Sequence, residues 1–117
     1  MPYHDAMSNH IIWKRRLQKA VDGPYDERFA VAVVARDDVC ELGKWIYGDG
    51  LKYSSSTAYQ KVVRAHAAFH LYAADVLLKL GEGDKAAAKE VLDDPLEAKS
   101  REIISAIVDL RAEFPKF

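Results

Sequence analysis

A second cysteine is missing from this chain. Its 117 residues carry Cys40 alone, so no intrachain disulfide forms, and Cys40 is a buried filler, a reactive thiol or a metal ligand. A long apolar run is missing too. The longest, Phe29 to Ala35, falls far short of the roughly 20 residues a membrane-spanning helix needs. The first residues show no signal-peptide pattern, so a cytoplasmic location with no membrane partner is the expectation. Nor does either sign of charge dominate. Seventeen Lys and Arg face 18 Asp and Glu, a formal net charge of -1, which removes the electrostatic reason to expect nucleic acid or an anionic membrane surface as partner. Internal repeats and low-complexity segments are absent as well.

What is present is an ordinary soluble composition, 50% hydrophobic and 30% charged, in a chain long enough for one core and too short for two. Residues 1–117 therefore read as a single domain. Ser8 to Val21 reads as a helix stopped by Asp22-Gly23-Pro24, with His10, Trp13, Leu17 and Ala20 on its inward face. Between Pro24 and Ala35 the apolar run fits a strand or a helix, and helix is the reading adopted. Arg36 to Tyr47 reads as a helix opening on Asp37-Asp38, containing Cys40 and ending at Gly48-Asp49-Gly50.

The clearest helix follows the Ser54-Ser55-Ser56-Thr57 cluster and runs to Leu80, before Gly81 and Gly83. Tyr59, Val62, Val63, His66, Phe69, His70, Ala73, Val76, Leu77 and Leu80 form its inward stripe. A short alanine-rich helix covers Asp84 to Leu92. After Asp93-Asp94-Pro95 a last one carries Leu96, Ser100, Ile103, Ile107, Leu110 and Phe114 on one face. Helices joined by short turns, without a convincing set of strands, predict an all-α fold, an antiparallel four-helix bundle with an additional short helix.

His66 and His70 stand four apart, so both imidazoles point from one helix face and two of them can grip one ion. Alone, the pair fits two hydrogen-bonded histidines as well as half a metal site. His10 and Cys40 lie on other inward faces. Four polar groups buried without partners would each cost about 1–3 kcal/mol, whereas one Zn2+ would satisfy them all.

Three motifs occur in order: His10-Ile-Ile-Trp13, Cys40-Glu-Leu-Gly-Lys-Trp45 and His66-Ala-Ala-Phe-His70. With them the chain resembles the chemoreceptor zinc-binding domain family, from about Asn9 through Ile107. The family pattern is an early histidine, a Cys-x-x-Gly-x-Trp element and two histidines four apart. The resemblance implies a zinc site made by His10, Cys40, His66 and His70 in a helical bundle that forms homodimers in some members. Trp13, Gly43, Trp45 and Ser100 fit the same pattern, with both tryptophans expected to shield the metal and Gly43 to permit close packing.

The resemblance further implies a sensory or regulatory domain in chemotaxis or cyclic-di-GMP signalling, responsive to zinc availability or to oxidants such as hypochlorous acid. Its partner would be a chemoreceptor or diguanylate cyclase output module, and no such module occurs in this sequence. A saturated four-ligand site lacks the open position of catalytic zinc, so no enzymatic activity is expected. The competing readings are a metal-dependent hydrolase or transferase on a helical bundle, and a purely structural zinc domain.

Overall fold

The computed structural model describes residues 3–23, 34–38 and 40–115, and among these the secondary structure is helical with no strand. The helix or strand alternative for Pro24 to Ala35 falls almost wholly outside the described residues. Helix α1 spans Tyr3–Asp22 and so begins before Ser8. Asp5 sits in its first turn, where a carboxylate favours the helix terminus, and its carbonyl receives the Asn9 side chain at 2.9 Å. Ala6, His10, Leu17, Ala20 and Val21 are buried along its inner face.

The largest departure from the expected boundaries concerns Arg36 to Tyr47. Its helix, α2, is only Glu41–Ile46, and Cys40 stands before it as the N-cap with an extended backbone, φ -78° and ψ 164°. The acidic pair that suggests a helix start has other partners: Asp37 accepts the Tyr47 hydroxyl at 2.5 Å, and Asp38 pairs with Arg36. The Cys40 sulfur takes the capping role by accepting the Gly43 N–H at 3.3 Å. A 3-10 turn over Asp49–Tyr53 follows, and Tyr59 ties the region down by donating to the Ile46 carbonyl at 2.6 Å.

Helix α3, Thr57–Gly81, is capped by Ser56, whose oxygen accepts the Tyr59 N–H. It ends in a Schellman turn. Gly83 adopts φ 80°, and Asp84 N–H reaches back to the Lys79 carbonyl at 2.9 Å. Helix α4, Lys85–Asp93, starts on the Asp84 side chain, and α5, Pro95–Glu113, starts on a proline whose missing N–H is no loss in a first turn.

Ser56, at the start of α3, donates to Glu113 at the end of α5, so these two helices run in opposite directions. Helix α1 also opposes α5, since His10 meets Ser100 while Lys14 pairs with Glu97. Leu17, Phe69, Leu77, Leu96, Ile103, Ile107 and Leu110 are fully buried between them, each stabilising the fold by about 1.5–3 kcal/mol. This core holds the inner faces of α1 and α3 at one level, and there the polar residues gather.

Candidate metal centre

Helical periodicity delivers three of the four histidines inward. His10, His66 and His70 are 4%, 2% and 1% exposed, whereas His4 is exposed, as expected for a bystander. Cys40 reaches the same level from the N-cap of α2. The structure brings Cys40, His66 and His70 together: Cys40 Sγ lies 3.2 Å from His66 Nε2 and 3.4 Å from His70 Nε2, and the two Nε2 atoms are 3.1 Å apart.

Zinc–nitrogen bonds of about 2.0–2.1 Å and a zinc–sulfur bond of about 2.3 Å, at tetrahedral angles, separate nitrogens by about 3.3 Å and nitrogen from sulfur by about 3.6 Å. The observed triangle agrees to within a few tenths of an ångström. These atoms form the one metal-compatible group of three or more His, Cys, Asp or Glu side chains among the described residues.

Hydrogen bonding alone does not satisfy this triangle. His70 Nδ1 lies 2.8 Å from the Val34 carbonyl, which can only accept, so Nδ1 carries the proton and Nε2 turns its lone pair into the site. If His66 donates from Nε2, its Nδ1 lone pair is left buried. If it carries its proton on Nδ1, two lone pairs face each other across 3.1 Å. His66 Nδ1 has no partner in either case. A cation among the three donors removes the clash of lone pairs and leaves only the His66 Nδ1 proton unpaired, and the outward His70–Val34 bond is the support that metal-bound imidazoles usually have.

Burial also sets the protonation states. It holds His66 down to about 3 and His10 to about 4, from an ordinary 6.5, and it lowers His70 as well. All three are neutral at neutral pH, the form that binds metal. Burial pushes the Cys40 thiol up, opposed by the backbone N–H groups of Gly43 and Leu42, so metal uptake displaces a proton.

The sign of the pH dependence follows. In the metal-free protein the folded state binds histidine protons more weakly than the unfolded chain, so stability is full above about pH 6.5 and is lost as pH falls toward 4 and then 3. Each depressed histidine removes about 1.4 kcal/mol per pH unit within its window. Urea unfolding at pH 7 and pH 5 should show this loss in metal-free protein. Equal stabilities would contradict it.

His10 is placed differently. It lines the same cavity, with Asn9, Trp13, Leu42 and Phe69, yet it does not join the three-donor group. Its Nε2 is hydrogen-bonded to Ser100 Oγ at 2.7 Å, and its ring stands edge-on to Phe69 at 4.9 Å. The cavity measures about 10 Å³, room for about one water-sized species.

Trp13 shields the site as expected, its ring 5.2 Å from that of His70. Trp45 does not. It is not among the residues that line the cavity, and it packs against Gly50 and lies 6.0 Å from the Tyr53 ring. Val34, which composition and periodicity do not single out, through its carbonyl, and Asp37, read from the sequence only as a helix opener, through Tyr47, hold the approach to Cys40 in place.

No curated protein and no solved structure shows a significant match to the chain. The model of one family, the chemoreceptor zinc-binding domain, matches residues 10–77, a span that contains the three-donor triangle and His10 but stops short of Ser100. With more than half of its length matched and a zinc-compatible triangle at the matched motifs, this chain belongs to the chemoreceptor zinc-binding domain family.

Proposed function

We propose that this protein is a zinc-binding sensory or regulatory domain whose ligands are His10, Cys40, His66 and His70. The triangle of Cys40, His66 and His70 at 3.1–3.4 Å carries the reading. The opposed directions of α1 and α5 and of α3 and α5 support the four-helix-bundle architecture and a single domain. No helix among the described residues is long and apolar enough to cross a membrane, in keeping with a cytoplasmic regulator that acts as a homodimer or on a chemoreceptor or diguanylate cyclase module.

Zinc, when bound, keeps Cys40 a thiolate near neutral pH. Hypochlorous acid takes two electrons from that sulfur, giving a sulfenic acid and releasing chloride, and the product is a poorer ligand. His66 and His70, on one rigid helix, stay in place while Cys40, on a short cap, is free to leave. Displacement of Cys40 would then shift the packing of α2 against α1 and α3, the change an output module in chemotaxis or cyclic-di-GMP signalling would read.

The small volume of the cavity argues against the hydrolase and transferase readings, since it offers a substrate little space beside an ion. It also gives a purely structural zinc its best support. Zinc per chain, measured before and after stoichiometric hypochlorous acid, separates sensor from staple. The sensor reading expects zinc at the start, its release with oxidant, and its return on reduction. Retention of zinc with an unmodified thiol would leave the structural role.

A further inference from the structure

Ser100 is 0% exposed, and its hydroxyl lies 2.7 Å from Nε2 of His10. It is contributed by α5, which lines no part of the cavity, so Ser100 reaches the site only through His10. Neither ring nitrogen of His10 comes within 4.8 Å of all three donor atoms on Cys40, His66 and His70, whereas tetrahedral zinc needs ligand atoms about 3.3–3.6 Å apart. His10 must therefore move to complete the site. Its ring contacts the edge of Phe69, and apolar packing of this kind sets no single rotation for an imidazole. The hydrogen bond to Ser100 is the directional contact in its present place.

Resting on the metal reading above, we propose that Ser100 is a positioning residue that holds His10 in a second, off-metal place, so that His10 divides between a serine partner and the ion. The hydroxyl loses little when His10 leaves. A serine inside a helix can turn its hydroxyl to the carbonyl one turn back, which here belongs to Leu96. Imidazole released toward the ion gains a coordination bond in exchange for a neutral hydrogen bond. The bond to Ser100 thus stabilises the three-donor, metal-poor arrangement and weakens zinc retention, which suits a site that must let its metal go.

The opposite arrangement makes the opposite prediction. If Ser100 supported a metal-bound His10 from outside, as partners of zinc histidines commonly do, its removal would weaken binding. The test is zinc affinity by chelator competition for wild type, Ser100→Ala, His10→Ala and the double variant, with thermal midpoints recorded on the metal-free forms. Ser100→Ala is expected to bind zinc about 3–10-fold more tightly, the size of one net hydrogen bond. In the His10→Ala background the serine change should have no effect on affinity.

Weaker or unchanged binding in Ser100→Ala, or an effect that persists without His10, overturns the proposal. Ser100→Thr, which keeps the hydroxyl, is expected to bind as wild type does, and an affinity matching that of the alanine variant would also overturn it. Failure of the wild-type protein to take up zinc at all would instead sink the metal reading itself.

Discussion

Gly43→Ala is expected to lower the stability of the domain by about 3 kcal/mol or more and to abolish tight zinc binding. A Cβ built on Gly43 lies 1.8 Å from the Asp37 carbonyl oxygen, 2.8 Å from its carbon and 3.1 Å from Asp38 Cα. Every one of these is backbone, so no flexible side-chain end can turn aside. The peptide at Asp37 must move by more than an ångström, and overpacking of that kind costs about 1–3 kcal/mol or more. Moving it also disturbs the Asp37–Tyr47 bond and the approach from Val34, whose carbonyl fixes His70.

For a domain of this size the loss corresponds to a thermal midpoint lower by roughly 10–20 °C. Gly81→Ala is the control. Nothing lies within 4 Å of its built Cβ, and alanine at a helix end is neutral or stabilising by up to about 1 kcal/mol. A Gly43→Ala protein with wild-type midpoint and zinc content would show that the contact between α2 and Asp37 does not shape the site.

Cys40→Ala and His66→Ala are each expected to weaken zinc affinity by about 10²–10³-fold. Structural zinc sites bind with apparent free energies of about 10–16 kcal/mol, and sharing that among four ligands assigns about 3 kcal/mol to each. The two variants should differ in the metal-free state. His66→Ala empties a fully buried position and should cost folding stability, as large-to-small core changes do. Cys40→Ala removes a smaller group and a sulfur that caps α2, and should cost about 1 kcal/mol. His10→Ala should cost less zinc affinity than either, because binding through His10 first requires it to give up Ser100. Isothermal titration against a chelated zinc buffer gives all three affinities, and a Cys40→Ala protein that holds zinc as wild type does would remove the thiolate from the ligand set.

How much of this was legible before the structure depends on the kind of signal. Helical periodicity reads the burial of side chains, and so it placed His10, Leu17, His66, Phe69 and His70 inward correctly. It reads nothing about which nitrogen of a histidine faces which neighbour, so it could bring His10 to the cavity without showing that Ser100 holds it there. The ordered motifs pointed to the Cys-His-His group but not to its support by the Val34 carbonyl, since main-chain partners leave no mark in residue types.

Asp37 and Asp38 misled the reading of the segment before Cys40. Acidic residues mark helix starts through the helix dipole, yet they serve equally as acceptors for tyrosine and arginine, and here Tyr47 and Arg36 claim them. The helix therefore begins after Cys40. Local propensity gave way to side-chain partners two and ten residues away.

The bond from His70 to Val34 has a consequence for how an occupied site would be sensed elsewhere in the molecule. One stretch of backbone is tethered at both ends to the same centre, at Val34 through the outer nitrogen of His70 and at Cys40 through its sulfur. An ion held by Cys40 and His70 would therefore be linked to the arrangement of this loop. A docked partner that favours the same arrangement of this loop as the ion does would raise the affinity for the ion by the factor that the ion lends to the docking.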